Sequence, residues 1–199
     1  MGYYRAGFTD ITGIDIKPMP RYPFKFIQGD ALEYLAAHGQ EYDVIHASPP
    51  CQAYIAATNQ WRKNGYEYPD LVKATRELLK ATGKPYVIEN VPGAPLENPS
   101  ILNGAMFGLL VQRVRLFETS FDVPFFLLPQ LPRPVKMGRP VKEGDVIVPV
   151  GHYSGAAYAR KQMGIDWMTI DELAEAIPPA YTEYIGNQLM RVLNAQASG

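Results

Sequence analysis

Tyr42-Asp43-Val44-Ile45-His46-Ala47-Ser48-Pro49-Pro50-Cys51-Gln52 is an apolar run that stops at two prolines and presents the only cysteine of the chain. Prolines cannot donate to a β-ladder and they restrict the backbone around them, so the stretch reads as a buried strand ending in a rigid loop. A thiol mounted at a strand end stands like a nucleophile; a buried structural cysteine is the plainer alternative. A second run of the same kind is Lys84-Pro85-Tyr86-Val87-Ile88-Glu89-Asn90-Val91-Pro92-Gly93. An acid at the end of a buried strand is costly unless it is paired, exposed in a cleft or functional. Loop amides satisfying Glu89 would be the structural explanation. A third run, Gln112-Arg113-Val114-Arg115-Leu116-Phe117, alternates so that two guanidiniums share one face, which is also what an ordinary solvent face looks like.

Outward from these runs the chain alternates strand and helix, the pattern of an α/β sheet. Residues 12–16, 24–27, 43–47, 85–89 and 113–120 read as strands, and 31–38 and 71–82 as helices. Asp70 is the expected N-cap of the second helix and Gly83 its stop. Asp30 fits the N-cap of the first, with Glu33 three residues on, and Thr169 with Glu172 repeats that capping-box pattern. Near the end, Ile177, Tyr181, Tyr184, Ile185 and Leu189 fall on one helical face, which core packing alone explains. Residues 124–150 form a short insert rich in proline and basic residues, with a strand expected over Asp145–Val150 and a loop over 151–155.

Composition bounds the rest. The chain has 199 residues, 47% of them hydrophobic, and a formal net charge of −1. That length suits one domain over residues 1–199 with a sizeable core. No apolar run is long enough to span a bilayer and no signal-peptide pattern opens the chain. A lone cysteine excludes an intramolecular disulfide and suits a reducing cytoplasm. No metal-ligand cluster is present. Contact with nucleic acid would need a local patch, because the chain is not basic overall. Arg62 and Lys63, Arg133, Lys136, Arg139 and Lys142, and Arg160 and Lys161 are the candidates, with a solvated surface as the default for each.

Three of these segments together resemble the DNA cytosine-5 methyltransferase family. Pro49-Pro50-Cys51-Gln52 is similar to its catalytic-loop motif, Glu89-Asn90-Val91 to its glutamate motif, and Arg113-x-Arg115 to its paired-arginine motif, with Val111 at the usual leading glutamine position. Asn103-Gly104-Ala105-Met106-Phe107-Gly108 looks like the segment between the last two. The motifs keep the family's order, and the resemblance runs from about Gly2 to Met190. It implies a Rossmann-like class I methyltransferase sheet with helices on both faces, and methyl transfer from S-adenosylmethionine to carbon 5 of cytosine in DNA. Cys51, flanked by Pro50 and Gln52, would add to carbon 6 of the ring; Glu89 would hold ring nitrogen 3 and the exocyclic amine. Arg115 would neutralise ring or phosphate charge near the thiol, and Arg113 would support Arg115 or Glu89. The target base must be flipped out of the stack for this chemistry, and residues 52–69 resemble the loop that closes over it.

The cofactor side departs from the family. The resemblance assigns the donor to Asp15 and Ile16, Asp30 and Ala31, Pro49, and Pro178 in the last motif, Ala176-Ile177-Pro178-Pro179-Ala180-Tyr181-Thr182-Glu183-Tyr184-Ile185-Gly186, where Ala174-Glu175 replaces the usual Gly-Asn. The first strand and its glycine-rich turn have no counterpart; Gly2 to Phe8 resembles the helix after that turn. A truncated or late-started product, an inactive relative, and a reduced donor site are the three explanations. A lost central strand leaves an unpaired edge, which predicts poorer stability, self-association or a partner subunit. The 124–150 insert is too short for a full target-recognition domain, which predicts little sequence selectivity or recognition by a partner. RNA or a free cytosine nucleotide as substrate, and a non-catalytic relative that binds nucleic acid or a partner, are the alternatives.

Overall fold

The structure, a computed structural model, describes residues 1–55, 58–124, 129–136, 138–150 and 155–197. Expectations for the loop over 151–155 and for parts of the 52–69 loop and the 124–150 insert thus lie in part outside the described residues. The chain divides into two compact units, one of residues 12–101 and 115–123, the other of residues 1–11, 102–114 and 124–199.

The first of these units carries most of the strands. β1 (Thr12–Asp15) and β2 (Lys25–Gln28) pair in parallel, with Thr12 opposite Lys25 and Asp15 opposite Gln28. Asp30 then caps α2 (Ala31–His38), its Oδ1 accepting the N–H groups of Leu32 at 2.8 Å and Glu33 at 3.0 Å. That satisfies two of the orphan donors of the helix start, as the sequence predicts. β3 (Ile45–Ala47) runs parallel to β4 (Tyr86–Asn90), and β4 pairs antiparallel with β6 (Arg115–Thr119), with β5 (Ser100–Leu102) beyond it. Between β3 and β4 lie α3 (Asn59–Lys63) and α4 (Val72–Thr82). The Asp70 carboxylate accepts the Val72 N–H at 3.2 Å, and Gly83 ends α4 in the left-handed conformation, φ +67°.

The α/β pattern read from the sequence is therefore present, but the strands form two sheets, β1-β2 and β3-β4-β6-β5. The helix layer does not share the break: α2 packs on both β1 and α4, and α4 packs on β4. Burial follows this arrangement. Every residue of β4 is buried, whereas every residue of β1 and β3 is only half-buried. Leu79, Tyr86 and Ile88 make the core here, with Leu35, Ile45, Ala47 and Leu96 around them.

In the other unit, the core is Val111, Ile147, Ala159, Met163, Ile165 and Leu173. It is built by α5 (Ala156–Met163), α6 (Ile170–Glu175) and the segments around Val111 and Ile147. Thr169 and Glu172 form the expected capping box, the Glu172 carboxylate accepting the Thr169 N–H at 2.7 Å. The strand expected over Asp145–Val150 is reduced to a single bridge between Val111 and Ile147. Gly144 turns the chain just before it at φ +88° and Pro149 offers no N–H after it, so the ladder has nowhere to extend. α7 (Pro179–Ala197) packs against the short α1 (Gly2–Arg5). The contact needs glycine: a Cβ on Gly2 would sit 2.0 Å from Thr182 Oγ1 and 2.2 Å from the Pro179 carbonyl oxygen.

Candidate functional site

Three neighbouring strands bring the sequence motifs to one place. Cys51 follows β3, Glu89 and Asn90 end β4, and Arg115 begins β6. β3 and β4 are parallel while β6 runs the other way, so the start of β6 meets the ends of β3 and β4. The register sets Glu89 opposite Phe117, two residues from Arg115, which puts Glu89 and Arg115 on one face. Their side chains meet there, Arg115 Nε standing 2.9 Å from Glu89 Oε1. Glu89 is only 8% exposed, so this ion pair answers the cost of placing a carboxylate on a buried strand.

Asn90 supplies the link to the thiol. Its Nδ2 donates to the Pro49 carbonyl at 2.9 Å, tying the loop that carries half-buried Cys51 to the end of β4. Pro50 and Gln52 on either side of the thiol are exposed. Gln52 holds the other end of the loop, its carbonyl accepting the Thr58 hydroxyl at 2.6 Å. Sequence reasoning assigns no such part to Asn90 or Thr58. The only signal is an amide side chain at a strand end before a Pro-Gly turn.

A second support lies beneath Glu89. Arg76 on α4 donates to both oxygens of Glu118 at 2.7 Å and, through Nη2, to the Pro95 carbonyl at 2.7 Å. Glu118 Oε2 also accepts the Glu97 N–H at 2.8 Å. The buried pair thereby clamps the 91–97 turn that leaves β4. Burial pushes the Glu118 carboxyl up, but the hydrogen bonds from Arg76 and the Glu97 amide outweigh it and hold it below its ordinary value.

Arg113 makes different contacts. It precedes β6 and is 2% exposed, its guanidinium donating to the carbonyls of Pro149 and Ala174 at 2.7 Å each, while its own carbonyl accepts the Tyr181 hydroxyl at 2.8 Å. These bonds knit its own unit together. The sequence expectation gives Arg113 the support of Arg115 or Glu89; within the strand pair, Arg115 itself takes the place beside Glu89.

The residues expected to hold the donor sit at matching strand ends. Asp15 closes β1, and Asp30 and Ala31 follow β2, its parallel neighbour. Strand ends of this polarity are where open α/β sheets bind nucleotides. Ile16, next to Asp15, is 70% exposed, an apolar side chain offered to solvent beside a carboxylate. Asp15 Oδ1 accepts the Lys17 N–H at 2.8 Å, which fixes its turn. Two acids and an exposed apolar side chain at these strand ends are residue types suited to the ribose and purine of S-adenosylmethionine, with Asp30 Oδ1 already engaged in capping α2. Pro178 stands directly before α7 in the other unit. Among the described residues no cluster of three or more His, Cys, Asp or Glu could hold a metal ion, and no helix is long and apolar enough to cross a membrane.

No family model matches the chain, and no curated protein matches it in sequence. Solved structures do match. One, from E. coli and described as a DNA modification methyltransferase encoded within a prophage, superposes with a TM-score of 0.63 at 14% identity. The alignment covers 97% of this chain and 95% of that one. The chain has that fold. The α/β architecture implied by the sequence motifs is thus the architecture observed, and at this identity the likeness carries the fold alone.

Proposed function

We propose that this protein transfers a methyl group from S-adenosylmethionine to carbon 5 of cytosine in DNA, through a covalent bond between Cys51 Sγ and carbon 6. The observation that carries this reading is the Glu89–Arg115 ion pair on the strand end that Asn90 ties to the Cys51 loop. The fold shared with a protein described as a DNA modification methyltransferase supports it.

Carbon 5 of cytosine is a weak nucleophile. Addition of the Cys51 thiolate to carbon 6 pushes electron density onto carbon 5 and makes it reactive. Glu89 holds ring nitrogen 3 and the exocyclic amine, which selects cytosine and stabilises the charge that develops on the ring. Arg115 orients Glu89 and neutralises ring or phosphate charge beside it. Bound S-adenosylmethionine supplies an electrophilic methyl group on a sulfonium. Asp15, Ile16, Asp30, Ala31 and Pro49 hold and orient it. A water molecule then takes the carbon 5 proton, the carbon 5–carbon 6 double bond re-forms, and the Cys51 thiolate leaves carbon 6 with the electron pair of the broken bond. Arg113 serves the framework of its own unit.

The test is transfer of labelled methyl from S-adenosylmethionine to cytosine-containing DNA, read as 5-methylcytosine after digestion to nucleosides. The wild-type chain forms it and Cys51→Ala does not. Full activity in Cys51→Ala would overturn the covalent route.

A further inference from the structure

The loop after the Cys51 turn presents two large aromatic rings to solvent. Trp61 and Tyr66 are each 60% exposed. Neither ring is loose. Trp61 lies on α3, and that helix ends in a Schellman-type stop: the Tyr66 N–H bonds to the Trp61 carbonyl at 3.0 Å and the Gly65 N–H to the Arg62 carbonyl at 3.0 Å. Gly65 takes φ +82° to make this turn, so the two aromatic residues are fixed at the two ends of one hydrogen bond. Tyr68 packs on Tyr66 with ring centroids 4.9 Å apart. The buried hydroxyl of Thr58 joins α3 to the Gln52 carbonyl, one residue from the thiol. Lys63, exposed, adds a positive charge between the rings in sequence, while Arg62 is engaged with Asn59 and the Ile55 carbonyl.

An exposed ring can stack only on a base whose face is open. In a duplex the faces are covered and only edges and phosphates are offered. A protein with a formal net charge of −1 draws little affinity from phosphates in either form, which leaves the rings as the main source of binding here. We propose that this loop is a stacking platform for unpaired nucleotides, and that the substrate is cytosine in single-stranded nucleic acid. The substrate assignment rests on the cytosine reading above; the platform is tested without it.

The experiment measures anisotropy of a short fluorescein-labelled pyrimidine-rich DNA strand, alone and annealed to its complement, against wild type, Trp61→Ala and Tyr66→Ala. The single strand is expected to bind about tenfold more tightly than the duplex, and Trp61→Ala to lose about tenfold of that affinity, the scale of one stacked base. Tyr66→Ala, read separately, gives a loss in the same direction. Equal or tighter binding of the duplex overturns the proposal, as does wild-type affinity in both variants. A change confined to oligomeric state in light scattering overturns it too, because the rings would then meet a second protein chain. Methyl incorporation into both DNA forms is followed in parallel. Trp61-dependent strand binding without any methyl transfer would uphold the platform and sink the methyltransferase reading. Methylation of duplex that ignores Trp61→Ala would do the reverse.

Discussion

In the proposed mechanism Glu89 and Cys51 carry the chemistry, and each is held by a neighbour at hydrogen-bond distance. Glu89 has its counter-charge in Arg115, and the Cys51 loop has its anchor in Asn90. Replacing Glu89 by Gln keeps the shape but removes the charge that meets the ring, so methyl transfer should fall about a hundredfold. Discrimination against other pyrimidines should weaken with it, measured as incorporation into matched cytosine and uracil strands. The motifs themselves are legible in sequence because strand ends, prolines and charged residues mark themselves. The partners of each residue are not. Alternation puts Arg113 and Arg115 on one strand face, but β6 begins at Arg115, and Arg113 spends its guanidinium on two backbone carbonyls.

At the scale of elements, β4 is the centre of its sheet and the clamp behind it decides how firmly it is held. Removing one partner from a buried ion pair strands the other charge. Glu118→Ala, which leaves Arg76 with the Pro95 carbonyl and the half-exposed Glu97 carboxylate 3.5 Å away, should lower stability by about 3 kcal/mol in a denaturant titration. β3 brings a pH dependence. Burial pushes the His46 imidazole down from 6.5 to about 4. Its folded pKa is depressed, so the unfolded chain takes up the proton first as pH falls. The native state should therefore lose stability as pH falls from near 6.5 towards 4, with the slope reduced in His46→Gln. Helix ends are readable from sequence because Asp30, Gly83 and Thr169 act locally. The 145–150 strand is not, because pairing is a property of two segments and its flanking turn and proline leave one bridge.

For the whole molecule, the break between the β1-β2 pair and the four-stranded sheet is the main departure from a continuous doubly wound sheet. β1 and β3, one from each piece, are only half-buried. Open strand edges seek partners, so light scattering should show mass rising with protein concentration. A concentration-independent monomer would mean that other groups shield those edges. Sequence does not show that the helix layer runs across the break through α2 and α4, because that is a matter of packing between distant segments. The central claim is that Cys51 bonds to cytosine within this fold. Intact-mass spectrometry of the chain, incubated with S-adenosylmethionine and a strand bearing 5-fluorocytosine, tests it most directly. Fluorine at carbon 5 cannot leave as the proton does, so the bond to Cys51 should persist. The predicted result is one species with the mass of protein, strand and one methyl group, absent in Cys51→Ala. Unmodified protein, under conditions in which ordinary cytosine is methylated, would contradict the account.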